Sequence, residues 1–255
     1  MNSSITEFVD AHCHIDLLPD PQKAVNEAAE QRIHVIAVTN APSVFFYTHA
    51  LAKDSEYVHA AIGLHPELVK THSNELESLW QQLALTRFVG EIGLDFVTTN
   101  SEERKLQIQV FNEILKRSAD SKDKILTIHS RRAAKDVIQM IGPNFPGSII
   151  LHWYSGSKRD LEKAIQNGYY FSVNTSMISS KSGCEAISLI PHDRLLTETD
   201  APFVRWKGAQ TSPSSVRGAA KGVAEIWKVD VAIAAHQISN NFDECIASRV
   251  SDSAK

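Results

Sequence analysis

Short apolar, β-prone runs alternate with longer amphipathic stretches from one end of the chain to the other, the pattern that builds a parallel sheet with helical crossovers. Eight runs read as strands: Phe8 to His14, His34 to Thr39, Val58 to Gly63, Phe88 to Ile92, Ile125 to His129, Ile149 to His152, Tyr170 to Val173 and Leu195 to Thr199. Between them, Pro21 to Arg32 opens on a proline suited to a first helical turn, and Glu102 to Ser118 carries Leu106, Val110, Ile114 and Leu115 at helical spacing. A helix over Val229 to Asn240, with Val231, Ile233, Ala234 and Ile238 on one side, is expected to pack on the exterior. No Pro- or Ser-rich linker interrupts the pattern, and Lys207 to Ser215 is the loosest stretch. Residues 1–255 therefore read as a single domain.

Doubly wound sheets and barrels both alternate strand and helix, so the polar residues decide between them. At or just beyond the C-terminal ends of the runs stand His12, His14, Asn40, His65, Glu91, His129, His152, Asn174 and Asp200. A (β/α)8 TIM barrel brings all of them to one rim, where such barrels keep their active sites. The length of 255 residues suits one barrel.

Composition narrows the function classes. Hydrophobic content of 43% with 22% charged residues is ordinary for a folded chain. A formal net charge of -4 excludes a surface that attracts a phosphate backbone everywhere, so any nucleic-acid contact is local. Cys13, Cys184 and Cys245 are odd in number and in no CxxC pair, which argues against a disulfide framework and for a reducing, cytoplasmic setting. The N-terminus lacks a signal-peptide pattern and no segment has the apolar length of a membrane span, so no membrane association is expected.

In Asp10-Ala11-His12-Cys13-His14, the two histidines lie two apart on a strand, so their imidazoles emerge on one face and can converge on an ion; Cys13 points the other way and packs. Glu91, between Gly90 and Ile92-Gly93, ends an apolar run, and its two oxygens can hold two cations at once; an N-cap or surface acid is the alternative. His129 and His152 each close an apolar run, and their repetition on separate strands favours metal ligation over independent structural roles. Asp200 completes the set, while Glu198, on the same strand face, orients a histidine or forms a barrel salt bridge, and Asp95 supports the site or the loop. Four imidazoles with two carboxylates suit two divalent ions, zinc or manganese ahead of magnesium, with identity left open among Mg2+, Mn2+ and Zn2+. Such a pair, about 3.5 to 4 Å apart, supports hydrolysis without a covalent enzyme intermediate. His34, His49, His59, His72, His192 and His236 lie in no motif.

The motif set resembles the TatD-like metal-dependent hydrolases, barrel deoxyribonucleases close to the amidohydrolases. The matching blocks are Asp10 to His14, Ile62-Gly63-Leu64-His65-Pro66-Glu67, Gly90 to Asp95, Ile128-His129-Ser130-Arg131, Leu151-His152 with Ser155-Gly156, and Glu198-Thr199-Asp200-Ala201-Pro202. The resemblance implies an amidohydrolase-like barrel with one metal on His12, His14, Glu91 and Asp200 and a second on Glu91, His129 and His152. It makes Glu91 and Asp200 catalytic, with Asp200 orienting or deprotonating the attacking water. It implies 3′ exonuclease action on DNA, at single strands or frayed ends. His65 and Arg131 would contact substrate phosphate, a loop hydrogen bond being the alternative for His65. The chain also looks like TatD-like components of bacterial anti-phage clusters of the Qat type, which implies partner proteins from such a defence system.

The sequence departs from the family at Arg132, where an acid is usual, at Trp153-Tyr154, where Cys-Phe is usual, and at Gln210 to Arg217, which lacks most of the expected basic charge. Trp153, Tyr154 and Trp206 suggest a platform for unpaired bases, with core packing as the alternative. Two rival functions stand beside the nuclease. One is hydrolysis of a small-molecule amide, ester or lactone, which the same ligands support and the negative charge favours. The other is a partner-binding subunit in which metal serves stability, against which the intact ligand set argues.

Overall fold

The computed structural model describes residues 7–247. Its eight main strands are β1 (Phe8–Cys13), β2 (Ile33–Ala37), β3 (Val58–Ala60), β4 (Phe88–Gly93), β5 (Ile125–His129), β6 (Ser148–His152), β7 (Tyr170–Val173) and β8 (Leu195–Thr197). The helices between them are α1 (Pro21–Glu30), α2 (Phe45–Ala52), α3 (Leu76–Gln82), α4 (Ser101–Ser121), α5 (Ala134–Ile141), α6 (Lys158–Gln166), α7 (Thr175–Ile178) and α8 (Lys181–Leu189). Local chemistry sets their starts: Asp20 caps α1 by accepting from the Lys23 amide, with Pro21 in the first turn, and Asn100 caps α4. The apolar face expected of α4 is buried through Val110, Phe111, Ile114 and Leu115.

Every neighbouring pair within the ladder is parallel, in two arcs, β1-β2-β3 and β4 through β8. Backbone bonds at two seams join the arcs into a (β/α)8 barrel. At one seam the Ile62 amide donates to Phe88 O (3.1 Å) and the Gly90 amide to Ile62 O (2.8 Å). At the other, the Asp200 amide donates to His12 O and the His14 amide to Ala201 O, each at 2.9 Å. The carboxylate of Asp10 fastens the same seam by accepting from the amide (2.8 Å) and hydroxyl (2.6 Å) of Thr199. These bonds explain why β2, β3 and β8 end two or three residues before the expected Thr39, Gly63 and Thr199. There the backbone leaves the ladder, and Thr39 accepts from the Gly63 amide while donating to Ala61 O.

A close approach at the first seam requires glycine. A Cβ on Gly63 would sit 2.3 Å from the Glu91 nitrogen, and one on Gly90 2.2 Å from the Thr127 methyl. Both glycines thereby let the β4 backbone bring Glu91 inward.

Two expectations are corrected beyond β8. The segment read as loose contains a small antiparallel hairpin, β9 (Arg205–Trp206) with β10 (Ala209–Gln210), turning through positive φ at Lys207 and Gly208. After α9 (Val216–Trp227), the last helix α10 spans Val231–Ile246 rather than ending at Asn240, and it does not simply pack outside. Its second half lies across the N-terminal end of the barrel. Asn241 donates to His192 O and Leu195 O, Ser148 donates to Cys245 O, and Arg87 donates to Ile246 O. Ile238, Phe242 and Cys245, spaced four and three apart, form its buried stripe. Among the described residues no helix is long and apolar enough to cross a membrane.

Under that closing helix, His59 stacks on Phe88 (centroids 4.7 Å apart) and lies 6.1 Å from the parallel ring of His34, with Phe242 beside both. Its Nε2 is buried without a hydrogen-bond partner. Burial, reinforced by His34 and Arg87, pushes its pKa down to about 4. The unfolded chain therefore binds this proton more readily than the folded one, and stability falls as pH drops from about 6.5 toward about 4. Chemical denaturation across that window is expected to show a shallower acid limb for His59→Phe than for the native protein.

Candidate active site

Glu91 is the centre of the polar cluster at the C-terminal rim. Delivered by β4 and 3% exposed, it turns its two carboxylate oxygens to two different sets of imidazoles. Oε2 lies 3.5 Å from His12 Nε2 and 3.3 Å from His14 Nε2. Oε1 lies 2.7 Å from His129 Nδ1, 3.1 Å from His152 Nε2 and 3.5 Å from His65 Nε2. Asp200, just past β8, completes the first set, its Oδ1 being 3.6 Å from His14 Nε2. All six ligand candidates of the sequence thus converge around one carboxylate.

Neighbouring side chains fix the ring orientations. His12 Nδ1 meets Thr127 Oγ1 at 2.7 Å, and its ring stacks on that of His152 with centroids 3.8 Å apart. His129 Nε2 meets Asp95 Oδ2 at 2.8 Å, a supporting contact. Behind His152, Nδ1 lies 3.4 Å from Oε1 of Glu198, a fully buried carboxylate that accepts hydrogen bonds from Ser172 and, at 2.8 Å, from Asn174. His65 makes the loop hydrogen bond expected as the alternative, its Nδ1 accepting from the Glu67 amide at 3.2 Å, while its Nε2 faces Glu91. Arg131 stands 59% exposed in the cleft, 4.0 Å from Asp95.

The donor set fits divalent cations. His12 Nε2 and both nitrogens of His14 are buried without a hydrogen-bond partner, although buried polar atoms are ordinarily satisfied. Ligand atoms group as His12–Glu91–His152, His12–His14–Asp200 and His65–Glu91–His129, each within 4.8 Å. Imidazole nitrogens with shared carboxylate oxygens are the ligands expected of borderline divalent metals.

Electrostatics reinforce that fit. Burial pushes the Glu91 carboxyl up, yet His65 and His12 reverse this and hold it well below the usual carboxylate range. Burial works against protonation of His14 and His152 too. Even so, Asp200 and Glu91 raise His14 to about 9, and Glu198 and Glu91 raise His152 well above the usual imidazole range. His12, buried beside His152, is pushed down.

The cluster floors a cleft of about 600 Å³. Three residues at its strand ends hold positive φ, Arg132 (56°), Trp153 (39°) and Asp200 (48°), where backbone strain is characteristic of functional sites. Of the three aromatic residues considered as a stacking platform, Trp153 alone lines the cleft. Tyr154 is core, 3% exposed, donating to Ser157 O, and Trp206 packs against Gly218 in the hairpin. Phe203 lines the cleft and was not foreseen, although an aromatic residue directly after Asp200-Ala201-Pro202 was the available signal.

The family model described as "TatD related DNase" matches residues 9–247. The chain belongs to this family. Among TatD relatives, the uncharacterized metal-dependent hydrolase YjjV of Escherichia coli K12 is 33% identical over 238 residues, covering 88% of this chain and 91% of that protein. The 3'-5' ssDNA/RNA exonuclease TatD of Erwinia amylovora is 29% identical over 208 residues, covering 78% and 80%. The crystal structure of the E. coli YjjV protein superposes with a TM-score of 0.85 over 94% of this chain and 98% of the other, at 27% identity. The TatD barrel and a metal-dependent hydrolase identity are therefore established for this chain.

Carboxylates that orient metal-binding imidazoles contribute about 10- to 100-fold in metal affinity. Calorimetric titration of metal-stripped Glu198→Gln is expected to show a loss of that size relative to the native protein, with an unchanged far-UV spectrum.

Proposed function

We propose that this TatD protein is a two-metal nuclease that removes nucleotides from the 3′ ends of single-stranded DNA. One observation carries the reading: the two oxygens of Glu91 face separate imidazole sets on the floor of an open cleft. The 3'-5' ssDNA/RNA exonuclease name of the Erwinia relative supports the choice of substrate and polarity.

In this reading His12, His14, Glu91 and Asp200 hold one divalent ion, and Glu91, His129 and His152 hold the other. When bound, such a pair supplies Lewis acidity to the phosphoryl and leaving oxygens and lowers the pKa of the attacking water. Asp200, at the cleft surface and beside His14, orients that water and takes its proton. The water oxygen bonds to phosphorus as the ester oxygen leaves, and Asp200 returns its proton to the leaving oxygen, directly or through solvent. Arg131 donates charge-assisted hydrogen bonds to the non-bridging phosphate oxygens, and His65 steadies the same group from the loop after β3. Glu198, Asp95 and Thr127 hold their imidazoles in place through the step.

The test is hydrolysis of end-labelled single- and double-stranded DNA, with RNA in parallel, by metal-stripped protein resupplied with Mg2+, Mn2+ or Zn2+. A metal-restored ladder shortening from the 3′ end is expected, faster on single strands, with losses of about 100-fold or more in Asp200→Ala and His129→Ala. Absence of cleavage of any nucleic acid with every metal would overturn the reading.

A further inference from the structure

Two exposed aromatic rings on the cleft wall have no part in the hydrolytic chemistry. Trp153 follows His152 directly at the end of β6, and Phe203 lies three residues beyond Asp200 after β8. Both line the cleft, with Trp153 36% and Phe203 58% exposed. Such exposure runs against the hydrophobic effect, because an apolar ring gains free energy by leaving water, as the neighbouring Tyr154 does. Strand alternation would send successive side chains to opposite faces. The positive φ of Trp153 breaks that alternation, so His152 and Trp153 both line the cleft while Tyr154 turns into the core. A left-handed backbone at a bulky residue is unfavourable and persists where the surroundings require it.

Each ring also adjoins one of the two imidazole sets. Trp153 adjoins His152, in the set facing Oε1 of Glu91, whereas Phe203 stands edge-on to His14, in the set facing Oε2, with ring centroids 5.0 Å apart. A phosphodiester placed over Glu91 would carry its two nucleosides toward these two rings. Every nucleobase has a flat face that stacks on an aromatic side chain, but only when it is not already buried in a duplex. Among the described residues Arg131 is the one Lys or Arg that lines the cleft, so contact along a long phosphate backbone is not its means of holding substrate.

We infer that Trp153 and Phe203 are the specificity-determining residues of the nuclease, stacking on the unpaired bases on either side of the scissile phosphodiester. The inference rests on the nuclease reading above and deepens it: single-strand preference follows from base stacking, with little dependence on base identity.

The experiment compares native protein, Trp153→Ala, Trp153→Phe and Phe203→Ala on a single-stranded oligonucleotide and on the same strand with abasic sites at its 3′ end. Trp153→Ala and Phe203→Ala are each expected to lose about 5- to 150-fold in kcat/KM on the intact strand, mostly through KM. Trp153→Phe keeps most of the native value, and the differences among the four proteins shrink to about twofold on the abasic strand. Quenching of indole fluorescence when the intact oligonucleotide binds metal-stripped protein, reduced in Trp153→Phe, reports the contact without turnover. Thermal melts accompany each variant, and Phe203→Ala and Trp153→Phe carry the test should Trp153→Ala fail to fold. Equal losses on intact and abasic strands, or no loss in either alanine variant, overturn the stacking assignment while leaving the nuclease reading intact. A native protein that neither cleaves nor binds any oligonucleotide overturns both.

Discussion

A buried carboxylate surrounded by imidazoles is the constraint on which this molecule is organised. Glu91 is almost without solvent, and its charge is tolerated because five histidines from separate strand ends and loops face it. Removing an ion from water costs several kcal/mol, roughly, and that cost is offset only by close partners of opposite character. The barrel provides them by bringing the ends of β1, β5 and β6 and the loop after β3 to one rim. Gly63 and Gly90, at positions where a Cβ would collide with neighbouring chain, let the β4 backbone carry Glu91 to the centre. The seam bonds from Asp200 and His14 to the opposite strand end then close the ring around it.

Stability and chemistry occupy opposite ends of the barrel. At the N-terminal end, α10 seals the opening with Phe242 and with hydrogen bonds to strand starts, and the half-buried His34 and His59 pack beneath it. At the C-terminal end the polar residues are tightly buried but incompletely hydrogen-bonded, and the backbone departs from favourable conformations at Arg132, Trp153 and Asp200.

The barrel and the imidazole cluster were legible in the sequence because strand period and strand ends are local properties. His12 and His14 share a face by alternation, and single polar residues closing apolar runs announce the rim. Depth and long-range closure are not local. Tyr154 and Trp206 looked equivalent to Trp153 in composition, yet one positive φ sends Trp153 to the cleft and its neighbour to the core. The continuation of α10 past Asn240 was hidden because two successive asparagines resemble a helix end, whereas tertiary contacts of Asn241, Phe242 and Cys245 hold the last turns. Thr127, which orients His12 from a different strand, carries no signal in its own neighbourhood.

The central claim is that Glu91 is shared between two metal positions. Anomalous diffraction from crystals of the protein loaded with Mn2+ or Zn2+ tests it most directly. The account predicts two peaks in the cleft, both in contact with Glu91, one beside His12, His14 and Asp200 and the other beside His129 and His152. A single peak, or peaks that leave one Glu91 oxygen without a metal, would contradict it.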